Sequence, residues 1–185
     1  SVGNFSKAKS LAYAPTSPLS NIISKIGFSA LVATGGSIAH VREGFYKSFD
    51  LAISVAIPFI VIIWIGGTNL VLFVLGSAWA GIIPLLKTLV VVSALNTSIL
   101  SLSGMTFNAL NKPQHYFKLN IVSLVSTALF LPYLVITHGT TGAALSLLIT
   151  ALIVNMYALI LIHHTIAPTW KRIIESTSIV IVATL

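Results

Sequence analysis

The sequence predicts an all-α protein, a bundle of helices that crosses a lipid bilayer five or six times. Of the 185 residues, 56% are hydrophobic and 7% are charged, whereas soluble domains carry about 25% charged residues. The apolar residues form several runs of about 20, the length that crosses a hydrocarbon core. The Lys and Arg residues lie mostly between these runs, as loop charges do in membrane proteins.

The chain is expected to form a single transmembrane domain over residues 1–185, with short polar connectors between antiparallel spans. Pro15 and Pro18 predict a kink near the start of the first span, and Pro58 predicts a bend in the second. Pro84 falls in the first turn of the third span, where proline is tolerated. The predicted spans are residues 11–32, 49–75, 82–110, 116–137, 141–165 and, as the start of a further span, 173–185.

The distribution of basic residues predicts how the bundle is oriented. Lys7 and Lys9 precede the first span, and the connectors after the second and fourth spans hold no Lys or Arg. Cytoplasmic loops carry an excess of these residues. The connectors after the first, third and fifth spans are therefore predicted to be cytoplasmic, in a cell (plasma) membrane, because they hold Arg42, Lys47, Lys112, Lys118, Lys171 and Arg172.

Several classes of chemistry are excluded or disfavoured by composition. The chain has no cysteine, which excludes a disulfide, a thiolate zinc site and a cysteine nucleophile. It has three acidic residues, all near connectors, and neither a nucleophile elbow nor a phosphate-binding glycine loop. We therefore expect no catalytic residue, no metal site and no cofactor, and the protein is not expected to be an enzyme. The net charge of +7 is spread between the spans, which argues against nucleic acid as a partner.

Polar residues inside the first span give the first candidate site. Ser17, Asn21 and Lys25 recur at intervals of four, so they share one face of a helix. In lipid such a face turns toward other helices or a wet cavity. Two interpretations remain open for Lys25: its ammonium lines a cavity for an anionic substrate, or it extends to the lipid headgroups.

A second polar stripe lies in the third span. Ser93, Thr97, Ser101 and Gly104 share a face, and Asn96 flanks it. Small residues at this spacing are typical of close helix packing. The amide of Asn96 and the hydroxyl of Thr97 are also suited to a polar cavity, so both interpretations stay open here.

Five short motifs occur in the order found in the polysaccharide (O-antigen) flippases. Residues 2–8 (VGNFSKA) resemble the start of a span in that family, and residues 40–48 (HVREGFYKS) look like its basic cytoplasmic loop. Residues 75–79 (LGSAW), before a Pro-Leu-Leu, resemble its Gly-x-x-Trp turn. Residues 108–113 (NALNKP) are similar to its cytoplasmic turn, and residues 139–144 (GTTGAA) to its Gly-x-x-Gly-Ala-Ala helix start.

The resemblance implies a fold and an activity. It implies that the chain is a fragment covering most of the second half of a MATE-like transporter with two six-helix lobes, part of the C-terminal lobe. It also implies that the protein translocates lipid-linked oligosaccharide across the membrane by alternating access. Membrane lipids surround such a protein, and the resemblance leaves open whether a coupling ion, proton or sodium, drives transport. The headgroup is a diphosphate, which needs cations, amides and hydroxyls. The candidates for this cavity, which no family motif marks, are Lys25, Asn21, Ser17, Asn96 and Thr97.

Two other functions fit the same composition. A multidrug and toxin extrusion transporter of the same superfamily would need a membrane-embedded carboxylate, and no acidic residue falls at the middle of a span. A non-transporting membrane scaffold would use the polar stripes as packing seams without a wet cavity.

Overall fold

The structure is a computed structural model that describes residues 2–18 and 37–184. The described residues are helical with no strand, which confirms the all-α prediction. Three helical segments, Ile38–Leu75, Ser77–Ala109 and Pro113–Ile166, are long and apolar enough to cross a membrane, so the chain is an integral multi-pass membrane protein. The α-helices are α1 (Val2–Tyr13), α2 (Ile38–Leu75), α3 (Ile83–Leu95), α4 (Ser101–Ala109), α5 (Pro113–Ile166) and α6 (Trp170–Thr184).

Helix α5 is a hairpin of two arms. A straight helix of its 54 residues would be about 81 Å long at 1.5 Å per residue, roughly twice the thickness of a whole bilayer. The chain turns at Gly139, whose φ of 60° and ψ of −133° are outside the helical region. Leu119 on the first arm and Ile162 on the second lie in the same core. The arms, residues 113–138 and 140–166, are therefore packed side by side.

Helix α1 packs along α3 and forms one of two apolar cores. Ala8 and Ala12 are fully buried there, and the hydroxyl of Ser93 donates to the Ala12 carbonyl at 2.9 Å. Asn4 lies beside Gly81, so the two helices run in the same direction. This core contains Ile63, Val71, Ile82, Leu85, Leu86, Leu89, Val90 and Ala144 as well.

Helix α1 begins before the predicted first span. The helix starts at Val2, and the span is predicted from residue 11 because Lys7 and Lys9 interrupt the apolar run before it. In the structure both lysines lie on α1 itself, and its small alanine face makes the contact with α3. Most of the predicted span at residues 11–32 lies outside the described residues.

The second apolar core lies where α2 begins and α5 ends, and Arg42 connects the two helices there. Arg42 Nε donates to the carbonyl of Ile166 at 2.6 Å. That carbonyl is one of the last four of α5, which have no partner within their own helix. Ala167 follows in the left-handed region, with φ of 44°, and ends the helix. A guanidinium at this position also interacts favourably with the helix dipole.

A group that we call the clasp, Glu43, Tyr46, Thr169 and Arg172, joins α2 to the start of α6. The Arg172 guanidinium donates to both carboxylate oxygens of Glu43, at 3.1 and 3.5 Å, and lies 4.3 Å from the centre of the Tyr46 ring. The hydrogen bond to Glu43 raises the pKa of Arg172. The Thr169 amide donates to the Tyr46 hydroxyl at 2.5 Å. The clasp thus joins the start of α2 to the start of α6, two stretches of sequence that are predicted to be cytoplasmic.

The α5 hairpin should depend on the absence of a side chain at Gly142. A Cβ there would overlap the backbone carbonyl of Leu134. Gly142→Ala is expected to destabilise the protein, because overpacking a closed contact costs about 1–3 kcal/mol. The matched control is Gly66→Ala, where a Cβ would meet nothing within 4 Å and helix propensity gains up to about 1 kcal/mol. Thermal unfolding of the detergent-solubilised full-length protein should show a lower midpoint for Gly142→Ala alone, and equal midpoints would contradict the hairpin.

Candidate functional site

A pocket of about 120 Å³ lies between α1, α3 and the two arms of α5. It is large enough for several water molecules or a small polar group. One wall is apolar and is formed by Val92, Leu100, Leu147, Ala151 and Val154. The remaining lining side chains carry amide, hydroxyl or ammonium groups, and they are Lys9, Tyr13, Asn96, Ser123, Thr127 and Thr150.

A π-helical segment, Asn96–Leu100, lies between α3 and α4 and begins at the edge of the pocket. Short π-helical turns interrupt a regular helix and are frequent at functional sites. The Ser101 hydroxyl donates to the Asn96 carbonyl at 3.0 Å within this segment. The change in register positions Asn96 at the junction of three helices.

The Asn96 side chain connects α1 to the second arm of α5. Its Nδ2 lies 3.5 Å from the Tyr13 hydroxyl, and its Oδ1 accepts from Asn155 Nδ2 at 3.4 Å. Asn155 Nδ2 also donates to the Ala151 carbonyl at 2.7 Å. The two longer distances describe weak hydrogen bonds, which a polar ligand could replace.

Two buried polar atoms beside the pocket have no hydrogen-bond partner. They are Thr150 Oγ1, on a residue 5% exposed, and Asn155 Oδ1, on a residue 3% exposed. A buried polar group without a partner costs about 1–3 kcal/mol, so native proteins rarely leave one unless water or a ligand satisfies it. These atoms indicate that the pocket takes a polar occupant.

The pocket carries positive charge. Lys9 is exposed and is the cation in its lining. The three acidic residues of the chain, Glu43, Asp50 and Glu175, do not line it. Within residues 2–18 and 37–184, no group of three His, Cys, Asp or Glu side chains could hold a metal ion.

The structure brings one of the five predicted cavity residues to the pocket. Asn96 lines it, whereas Thr97 is buried beside it without lining it. The Ser17 hydroxyl donates to the Tyr13 carbonyl at 2.7 Å and is exposed. Asn21 and Lys25 lie outside the described residues, and their roles stay predictions.

Part of the stripe in the third span serves packing. The Ser93 hydroxyl, which is fully buried, bonds to the backbone of α1. A Cβ at Gly104 would lie 2.8 Å from the Tyr116 ring, so this glycine allows α5 to approach α4 closely. The stripe therefore faces two different neighbours.

Of the six lining residues with polar groups, sequence reasoning missed five: Lys9, Tyr13, Ser123, Thr127 and Thr150. Lys9 entered the sequence prediction only as a charge before the first span. Asn155, beside the pocket, was missed as well. Asn155 lies within the apolar run of residues 147–162, and an amide in such a run is the signal that could have identified this face.

Apolar helices around a cationic, hydroxyl-rich pocket define a polytopic membrane protein with an internal polar site. Residues 1–84 match the family described as "Polysaccharide biosynthesis protein". The chain is also 26% identical over 148 residues to an "Uncharacterized membrane protein in cps region" of Klebsiella pneumoniae. The aligned region covers 80% of this chain and 30% of the relative. The chain therefore spans about 30% of that relative's length. These matches confirm the resemblance to a family of polysaccharide-biosynthesis membrane proteins, and no solved structure matches significantly.

Water access to the pocket can be tested by cysteine labelling in the full-length protein. The chain has no cysteine of its own. Thr127→Cys, in the pocket, should react with a small membrane-impermeant thiol reagent about tenfold faster than Leu129→Cys, because thiolates form in water and not in lipid. Leu129 is the matched control, since it lies two residues away on the same arm and is 67% exposed on the apolar surface. Equal rates would mean that the pocket is dry.

Proposed function

We propose that this chain forms part of a membrane transporter that translocates polyprenyl-diphosphate-linked oligosaccharide by alternating access, for polysaccharide or surface-glycan biosynthesis. The observation that carries the proposal is a pocket among membrane helices that combines one ammonium with amides and hydroxyls. The family description and the relative's location in a cps region support the role in polysaccharide biosynthesis. The proposed process is movement of an intact lipid, without a covalent step, so we propose that the protein is not an enzyme.

The lining groups match the chemistry of such a headgroup. A diphosphate is anionic, and the Lys9 ammonium supplies a charge-assisted donor. Sugars present many hydroxyls, each of which loses its water on leaving the aqueous phase. Asn96, Ser123, Thr127 and Thr150 offer donors and acceptors that can replace those waters.

Alternating access requires parts of the bundle that move as units. The clasp and the Arg42–Ile166 hydrogen bond hold α2, α5 and α6 together at one end. The Asn96 junction is held by longer bonds of 3.4 and 3.5 Å. In the proposed cycle the clasped end stays rigid while the helices around Asn96 adjust to the substrate, as rigid-body rocking around a fixed site requires.

A scaffold without transport is the second candidate function. The contacts of Ser93 with α1 and of Gly104 with Tyr116 favour it, because they show polar and small residues used for packing. The pocket itself counts against it, since a packing seam would leave no cavity with room for several water molecules. A cation-coupled drug exporter is disfavoured because no carboxylate lines the described pocket.

The role of Lys9 can be tested by transport with purified full-length protein in liposomes. Lys9→Gln should lower the rate of translocation of a fluorescent polyprenyl-diphosphate-linked oligosaccharide about tenfold, because hydrogen bonds to charged groups contribute about 1.5–3 kcal/mol. The matched control is Lys7→Gln, which removes an exposed lysine of the same helix that does not line the pocket, and it should stay near the wild-type rate.

The outcomes separate the candidate functions. Equal transport rates for Lys9→Gln and Lys7→Gln would mean that the pocket is not part of the transport path. A scaffold predicts that liposomes with wild-type protein move no more labelled lipid than protein-free liposomes, and that result would overturn the proposal.

A further inference from the structure

Two unpartnered atoms restrict what can bind at the pocket: Thr150 Oγ1 in its lining, and Asn155 Oδ1 beside it, on a side chain bonded to Asn96. The orientation of the Asn155 amide is fixed, because its Nδ2 faces two acceptors, the Ala151 carbonyl at 2.7 Å and Asn96 Oδ1 at 3.4 Å. Its Oδ1 is therefore the atom without a partner, and this oxygen can only accept. A ligand that binds at the buried wall formed by Thr150 and Asn155 must therefore supply a hydrogen-bond donor.

An ionised phosphate cannot satisfy Asn155 Oδ1, although the Thr150 hydroxyl could donate to it. A fully ionised phosphate has no donor hydrogen, and an amide oxygen repels its charge. A metal cation is disfavoured by the Lys9 ammonium in the same pocket. A neutral hydroxyl meets both requirements, because it donates to Asn155 Oδ1 and can exchange a hydrogen bond with Thr150 Oγ1.

Lys9, at the exposed rim of the pocket, prefers the opposite kind of partner, an anion. Lys9 is exposed, and the acidic residues of the chain do not line the pocket, so its ammonium remains available for an anion. The pocket thus has a cationic rim and a buried wall that requires neutral donors. This is the polarity of a sugar that carries a phosphate on one side.

We propose that the pocket binds a phosphate-linked sugar in one orientation, with the sugar hydroxyls against Thr150 and Asn155 and the phosphate at Lys9. The proposal rests on the proposed function and adds which part of the substrate enters this pocket and which way round it lies. Thr150 is then a residue that distinguishes the glycosylated lipid from the bare lipid diphosphate.

The test compares two probes on purified full-length protein in nanodiscs. One is a short-chain polyprenyl diphosphate, and the other is the same lipid carrying a single hexose. Wild-type protein should bind the hexose-bearing lipid about tenfold more tightly, because the hexose gives the two buried atoms their partners. Thr150→Val should abolish most of this ratio and leave the affinity for the bare lipid near the wild-type value.

The chain offers a matched control for this substitution. Thr106 Oγ1 is also buried without a partner, and Thr106 does not line the pocket. Thr106→Val should therefore keep the wild-type binding ratio. Because both hydroxyls lack partners, neither substitution should lower the thermal midpoint of the ligand-free protein. Thr150→Ser, which restores a hydroxyl, should restore the ratio.

The result that overturns the orientation is distinct from the result that overturns the function. If wild-type protein binds both lipids equally, the wall holds water alone and the orientation is wrong, even where Lys9→Gln still slows transport. An unchanged ratio in Thr150→Val has the same meaning. If neither lipid binds and Lys9→Gln transports normally, the proposed function fails as well.

Discussion

A polar group that lies between helices in a bilayer has no water to bind, so the protein must supply its partner. This requirement accounts for the buried hydrogen bonds between helices. At the end of α5, Arg42 reaches across from α2 to a carbonyl that has no partner within its own helix. The hydroxyl of Ser93 is buried between α1 and α3, and it bonds to a carbonyl of each. Each bond that satisfies a polar atom also fixes the position of one helix against another.

Among the described residues, some buried polar atoms have no partner, and two of them lie close together. Thr150 and Asn155 leave oxygen atoms unpartnered on the second arm of α5, next to the weakly bonded Asn96. Two kinds of polar residue therefore share the same helices. One kind forms hydrogen bonds that complete the packing, and the other has an oxygen atom available to bond to a ligand. Residue type alone does not separate the two kinds, because Ser93 and Thr150 are both small and hydroxylated.

The all-α membrane fold followed from the sequence because apolar runs of span length are visible without any knowledge of packing. The turn at Gly139 has an equally local cause, since a glycine accepts the positive φ found there. Helix α1 begins before the predicted first span, and its buried face of two alanines among lysines gives no apolar run that would indicate it.

The site was only partly predictable because its residues come from three helices. A single span shows which of its side chains share a face, and Asn96 was found in this way. It does not show which face of another helix lies opposite, and so Lys9 and Thr150 were missed. The π-helical segment at Asn96–Leu100 adds a further difficulty. It shifts the register, so the i, i+4 pattern of Ser93 and Gly104 leads to contacts with two different helices.

The clasp has a consequence for how the protein is made. Arg172 follows its partner Glu43 by 129 residues. At a synthesis rate of about 5–20 residues per second, Glu43 leaves the ribosome roughly 6–26 s before Arg172 does. During that interval the start of α2 has no partner from α6, and the hairpin of α5 must be inserted before the ion pair can form. Closure of the clasp therefore follows the insertion of α2 to α5, which makes it a marker that these helices are in place.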